Sequence, residues 1–184
     1  MTQAPLTPAQ TVGPFFAGLL HEGWNVMATD DTSGARIRLE GRVLDGDGEV
    51  VPDALIELWQ ADAEGRYNHP ADPRGAADPG FSGFGRAGTD DAGRWWFDTI
   101  KPGPHGSGAP HINVIVFARG LLDRLLTRFY FSDEAANADD PLLGSLPPER
   151  RATLVAERAE EGEAVTYRID IVLQGEGETV FFEG

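Results

Sequence analysis

Turn-forming residues divide this sequence into short runs of β-branched and aromatic residues, and that punctuation constrains the fold more than any single motif. Among 184 residues there are 23 glycines and 13 prolines, which stop long helices and interrupt central strands. Between them, residues 36–43, 54–60, 94–100, 111–119, 125–131, 165–173 and 178–183 carry side chains that suit a pleated, half-buried surface. The first run alternates, with Ile37, Leu39, Gly41 and Val43 on one face and Arg36, Arg38, Glu40 and Arg42 on the other, the two-residue period of a strand. The "DGDG" at 45–48 follows it directly and signals a turn.

Residues 61–93 are almost all turn formers and predict a long loop with one short strand near 85–89. Residues 147–161, "PPERRATLVAERAEE", predict the one helix: prolines at its start, helix formers after them, and Gly162 to end it. Many short strands with one late helix add up to an all-β fold, a β-sandwich with long loops. The length suits a single core. Residues 1–35, rich in Pro, Thr, Gly and Asp, read as an N-terminal arm that packs on a partner, and residues 36–184 as the domain.

Thirty acidic residues against 15 Lys plus Arg give a net charge of −15, a surface that repels nucleic-acid phosphates and anionic lipid headgroups. An anionic substrate would therefore need a local arginine. The absence of cysteine rules out a disulfide scaffold and thiolate metal ligation. The N-terminus lacks the basic start and apolar run of a signal peptide, and no 18-residue apolar stretch occurs, so the expectation is a soluble, cytoplasmic protein.

Candidate ligands gather at Tyr67, His69, His105, His111 and Asn113. His111 and Asn113 are two apart on a predicted strand and share a face, the geometry of an H-x-H metal pair. A neutral carboxamide is, however, a much weaker donor than imidazole toward a transition metal. Spacing alone leaves three readings open: a metal site, a histidine bonded to backbone at a strand start, and a solvent-facing loop histidine. Arg128 stands among apolar residues in "LLTRFYF", and a buried arginine needs a carboxylate, carbonyl or aromatic partner.

"LEGRVLDGDGEVVPDALIELWQADAEGRY" (39–67) resembles the signature segment of the intradiol ring-cleavage dioxygenases. "TIKPGP" (99–104), "PHI" (110–112), "RFYF" (128–131) and "DDPLLGSLPPERRATL" (139–154) extend the similarity over most of the chain. The resemblance implies a mononuclear non-haem ferric site held by two tyrosines and two histidines, in chains that read roughly G-x-Y, K-P-G-P-Y and R-P-A-H-I-H. Tyr67 matches the first tyrosine and His111 the first histidine. His105 stands where the second tyrosine belongs, Asn113 where the second histidine belongs, and Gly108 where an arginine precedes the histidine pair.

Two phenolates bring a ferric ion from +3 to +1, whereas one leaves +2 to be buried, which is costly. The resemblance therefore implies a chain without its own metal, its ligand positions Tyr67, His105, His111 and Asn113 being vestigial. The resemblance further implies that such a chain would assemble in αβ pairs with a catalytic β chain, which would bind Fe(III) and open 3,4-dihydroxybenzoate with O2 to 3-carboxy-cis,cis-muconate, a step of the β-ketoadipate pathway. By the same resemblance "TPAQTVGPFF" reaches the partner's site, so Thr11, Gly13, Pro14 and Phe15 are expected to line the substrate pocket; Arg128, from its apolar surroundings, is expected either to form an interface ion pair or to support that site from this side. Two other readings stand beside this one: a divergent iron dioxygenase working alone, and a non-enzymatic transthyretin-like β-sandwich binding module.

Overall fold

A computed structural model describes residues 18–75, 78–161 and 164–183. Among them nine strands form one curled mixed sheet, with eight strands in the order β3-β2-β5-β6-β7-β8-β1-β4 and β9 pairing β1. The strands are β1 (Arg36–Leu44), β2 (Leu55–Gln60), β3 (Phe84–Gly88), β4 (Arg94–Ile100), β5 (Ile112–Phe117), β6 (Leu125–Phe131), β7 (Val155–Glu161), β8 (Ala164–Arg168) and β9 (Ile171–Val172). The curl turns the β2–β5 half toward the β1–β4 half. Ile56, Leu58, Val114 and Val116 from one half thus share a core with Ile37, Leu39, Trp95 and Phe97 from the other. The fold is all-β with long loops, as the sequence predicts.

The alternation along β1 holds: Ile37, Leu39 and Val43 are buried while Arg36 and Arg42 are exposed. Gly41 interrupts the apolar face for a packing reason. A Cβ there would stand 1.7 Å from the Ile169 carbonyl oxygen, because the chain leaving β8 crosses β1 at that point and Ile169 N–H donates to the Glu40 carbonyl. Within residues 18–35, Met27, Ala28 and Thr32 are buried against this chain's own core, and Met27 N–H donates to the Asp98 carbonyl.

Two expectations are corrected. Residues 147–161 do not form one helix: helix α2 covers only Pro148–Ala152, and the chain continues as β7, parallel to β6 and antiparallel to β8. Leu154 and Ala156 are fully buried, so tertiary pairing overrides the helix propensity of the Ala, Glu and Arg around them. A further helix, α1 (Pro141–Ser145), precedes α2 and is capped by Asp140. Residues 178–183 make no strand beyond a bridge between Leu126 and Phe182. Among the described residues no helix is long and apolar enough to cross a membrane.

Candidate functional site

Three adjacent strands supply one row of side chains. Trp59 on β2 pairs with Asn113 on β5, and Asn113 pairs with Arg128 on β6, so the three residues stand side by side. His111, two residues before Asn113, lies 5.7 Å from the Tyr130 ring, centroid to centroid. Strands β5 and β6, with the residue that leads into β5, therefore carry Asn113, Arg128, Tyr130 and His111 together.

Tyr67 and His105 reach the row on two loops that cross at glycines. Gly65 has φ +78°, and a Cβ on it would meet the Pro104 carbonyl oxygen at 2.0 Å. A Cβ on Gly103 would meet the Ala63 carbonyl oxygen at 2.3 Å. Only glycines allow so close a crossing. Asp62, fully buried, ties the first loop by accepting from the backbone N–H groups of Glu64 and Arg66 and from Arg66 Nε. Asp72 accepts from Tyr67 N–H at 2.8 Å, and Arg74 spans Asp72, the Gly65 carbonyl and His105 Nδ1. Tyr67 is thereby stacked on Trp59 at 5.7 Å and meets His105 edge to face at 4.9 Å.

Burial pushes the Tyr67 phenol above its ordinary range, against the opposing hydrogen bond from Asn113 and the charges of Arg128 and Arg74; the phenol is neutral at neutral pH. Burial lowers the His111 pKa against the hydrogen bond to the Ala109 carbonyl, which raises it. The neutral ring donates from Nδ1 to that carbonyl at 2.7 Å. Asp140 fixes the same turn: it accepts from Ala109 N–H at 2.8 Å, from the Tyr130 hydroxyl at 3.2 Å, and from Leu142 and Leu143 N–H at the start of α1.

The residues at the four ligand positions do not fit a ferric ion. Asn113 Nδ2 donates to the Tyr67 hydroxyl at 3.0 Å and to the Trp59 carbonyl at 3.2 Å. Its Oδ1 accepts from Arg128 Nε at 3.2 Å. Both ends of the amide are engaged, and its N–H covers the phenol oxygen. His105 Nδ1 is held between Arg74 and the Gly65 carbonyl. Tyr67 and His111 remain, two donors for a trivalent ion beside a guanidinium. Among the described residues, no cluster of three or more His, Asp and Glu side chains could hold a metal.

Trp59, Tyr67, His69, Asp72, Pro73 and His105 line a cavity of about 460 Å³ on the outer side of the cluster. His69 lies at its exposed edge and caps a turn, its Nδ1 accepting from Ala71 N–H. A larger groove of about 1060 Å³ lies elsewhere, over β1, β4 and β8, and contains none of the predicted site residues. Thr11, Gly13, Pro14 and Phe15 fall outside the described residues. The sequence motifs grouped Tyr67, His105, His111 and Asn113 but assigned Arg128 to the partner's site, whereas the structure sets Arg128 against Asn113; Trp59, the Asp72–Arg74 clamp and Asp140 were missed. Only Asp140 carried a local signal, an Asp-Pro pair opening a helix.

The family described as "Dioxygenase" matches residues 13–175. The chain is 47% identical to a protocatechuate 3,4-dioxygenase α chain of Burkholderia cepacia, covering 100% of both chains. It is 45% identical to one of Pseudomonas putida over 97% of this chain and 96% of the relative. It is also 38% identical to a protocatechuate 3,4-dioxygenase β chain of Burkholderia cepacia, over 96% of this chain and 79% of that one. Among solved structures, the dioxygenase domain of a dioxygenase carbohydrate-binding fusion from Streptomyces sp. SirexAA-E superposes with a TM-score of 0.66 at 26% identity, covering 82% of this chain and 87% of that one. The family match, the full-length similarity and the fold agree: the chain belongs to the intradiol ring-cleavage dioxygenase family.

Proposed function

We propose that this chain is the α subunit of a protocatechuate 3,4-dioxygenase, a cytoplasmic enzyme in which a partner β chain holds the non-haem ferric ion. The whole enzyme inserts both atoms of O2 into 3,4-dihydroxybenzoate between its two hydroxyl-bearing carbons, giving 3-carboxy-cis,cis-muconate. The observation that carries this reading is the Asn113 carboxamide, hydrogen-bonded at both ends inside the pocket where a metal would need a donor. Full-length similarity to α chains and lower identity to a β chain support a paired assembly.

In this reading Thr11, Gly13, Pro14 and Phe15 form part of the wall of the partner's substrate pocket. Gly13 allows close backbone approach and Pro14 fixes the bend. Residues 1–35 act as the partner-contacting arm, anchored on this chain by Met27 and Ala28. Arg128, expected to support the partner's site, points its Nε at Asn113 of its own chain.

Iron content and cleavage of 3,4-dihydroxybenzoate decide the matter, measured on this chain alone and after co-expression with a β chain. Iron and turnover are expected only in the mixture. Stoichiometric iron with turnover from the lone chain would make His105 and Asn113 working ligands and overturn the proposal.

A further inference from the structure

Arg128 is the unusual charge in this pocket. It is half-buried, and it hydrogen-bonds the Asn113 amide and Tyr130, neutral groups rather than a carboxylate. The neighbouring arginines differ: Arg74 is paired with Asp72 and Arg66 with Asp62. The carboxylate nearest to hand, Asp140, already accepts from Ala109, Leu142, Leu143 and the Tyr130 hydroxyl. No ion pair of Arg128 occurs among the described residues.

What surrounds the guanidinium is instead a set of neutral donors and acceptors that converge on one point. Asn113 stands directly opposite on β5 and relays the contact to the Tyr67 hydroxyl. Tyr130 is two residues along the same face of β6, and His111 packs against it. A half-buried cation persists when oriented dipoles face it. The same cation repels a second one brought among those side chains, and in a partly dry site that repulsion is poorly screened.

We propose that the Arg128 guanidinium has taken over the electrostatic place of the metal in this pocket: it fixes Asn113 in the orientation that seals Tyr67, and it keeps a ferric ion out even when stronger ligands are restored. The proposal rests on reading the pocket as a ligand set that has lost its metal. Loss of Asn113 and His105 as donors is then only half of the change, and the gain of a resident cation is the other half.

The test uses the assembled αβ complex and counts iron per αβ pair beyond that of the parent, together with added visible absorption from tyrosinate-to-iron charge transfer. Three versions of this chain are compared: His105→Tyr/Asn113→His, the same pair with Arg128→Gln, and the same pair with Arg128→Lys. Extra iron is expected in the glutamine version at no less than tenfold the level in the other two, since lysine keeps the charge. Arg128→Met provides a second neutral version where the glutamine chain does not assemble. Equal extra iron with and without Arg128, or no extra iron in either neutral version that assembles, overturns the inference. Neither result touches the proposed function, which falls only when the unaltered chain alone holds stoichiometric iron.

Discussion

Asn113 shows how a single substitution can turn a donor set into a closed hydrogen-bond network. Its amide satisfies the Tyr67 hydroxyl, the Trp59 carbonyl and Arg128 at once. Asn113→Leu keeps similar bulk and removes every one of these bonds, leaving half-buried polar groups unpaired, so we expect a loss of about 1–3 kcal/mol in urea unfolding. The same change should move the Tyr67 titration further up, because the Asn113 hydrogen bond is one of the influences that lower it; an alkaline ultraviolet titration, with Tyr67→Phe to assign the signal, checks the direction. The positions Tyr67, His105, His111 and Asn113 were legible in the sequence because each sits in a short recognisable motif. The use made of Asn113 was not, since its partners lie 54, 46 and 15 residues away and are set by strand register.

At the scale of elements, alternation and turn chemistry revealed the strands, and failed where pairing overrode propensity, in the segment that becomes β7. Gly41 belongs to the first group only in part: it sits on the predicted face, but its need for glycine comes from the β8 exit crossing β1. Gly41→Ala should therefore cost about 3 kcal/mol or more, at the upper end of overpacking effects, and show a matching fall in the denaturant midpoint at unchanged m-value. Asp140 links α1 to the turn before His111. Burial raises its pKa, but hydrogen bonds from Leu143, Ala109 and Leu142 N–H and from Tyr130 outweigh this and hold it below the ordinary range. A carboxyl depressed by folding contributes stability above its unfolded pKa and loses it as pH falls through the folded value. Asp140→Ala should cost about 2–4 kcal/mol near neutral pH, from the lost cap and the unpaired Ala109 N–H and Tyr130 hydroxyl. The difference from the parent should narrow as the pH drops below about 4, which unfolding curves at stepped pH would display.

The whole molecule is a strongly acidic chain, with a net charge of −15, whose family pocket holds an arginine in a network without metal-ligand capacity. Under the proposed function no metal stabilises this chain, and association with a β chain is the external source of stability. A partner that binds only the folded form adds RT ln(1 + [L]/Kd). With the partner at a hundredfold its Kd this amounts to about 2.7 kcal/mol, or roughly 5–10 °C in melting temperature for a domain of this size. The melting temperature of this chain should therefore climb with the concentration of a β chain, while addition of ferric salt alone leaves it unchanged. Differential scanning fluorimetry across a partner titration separates the two, since a metal-stabilised chain would respond to the salt and a self-sufficient one to neither.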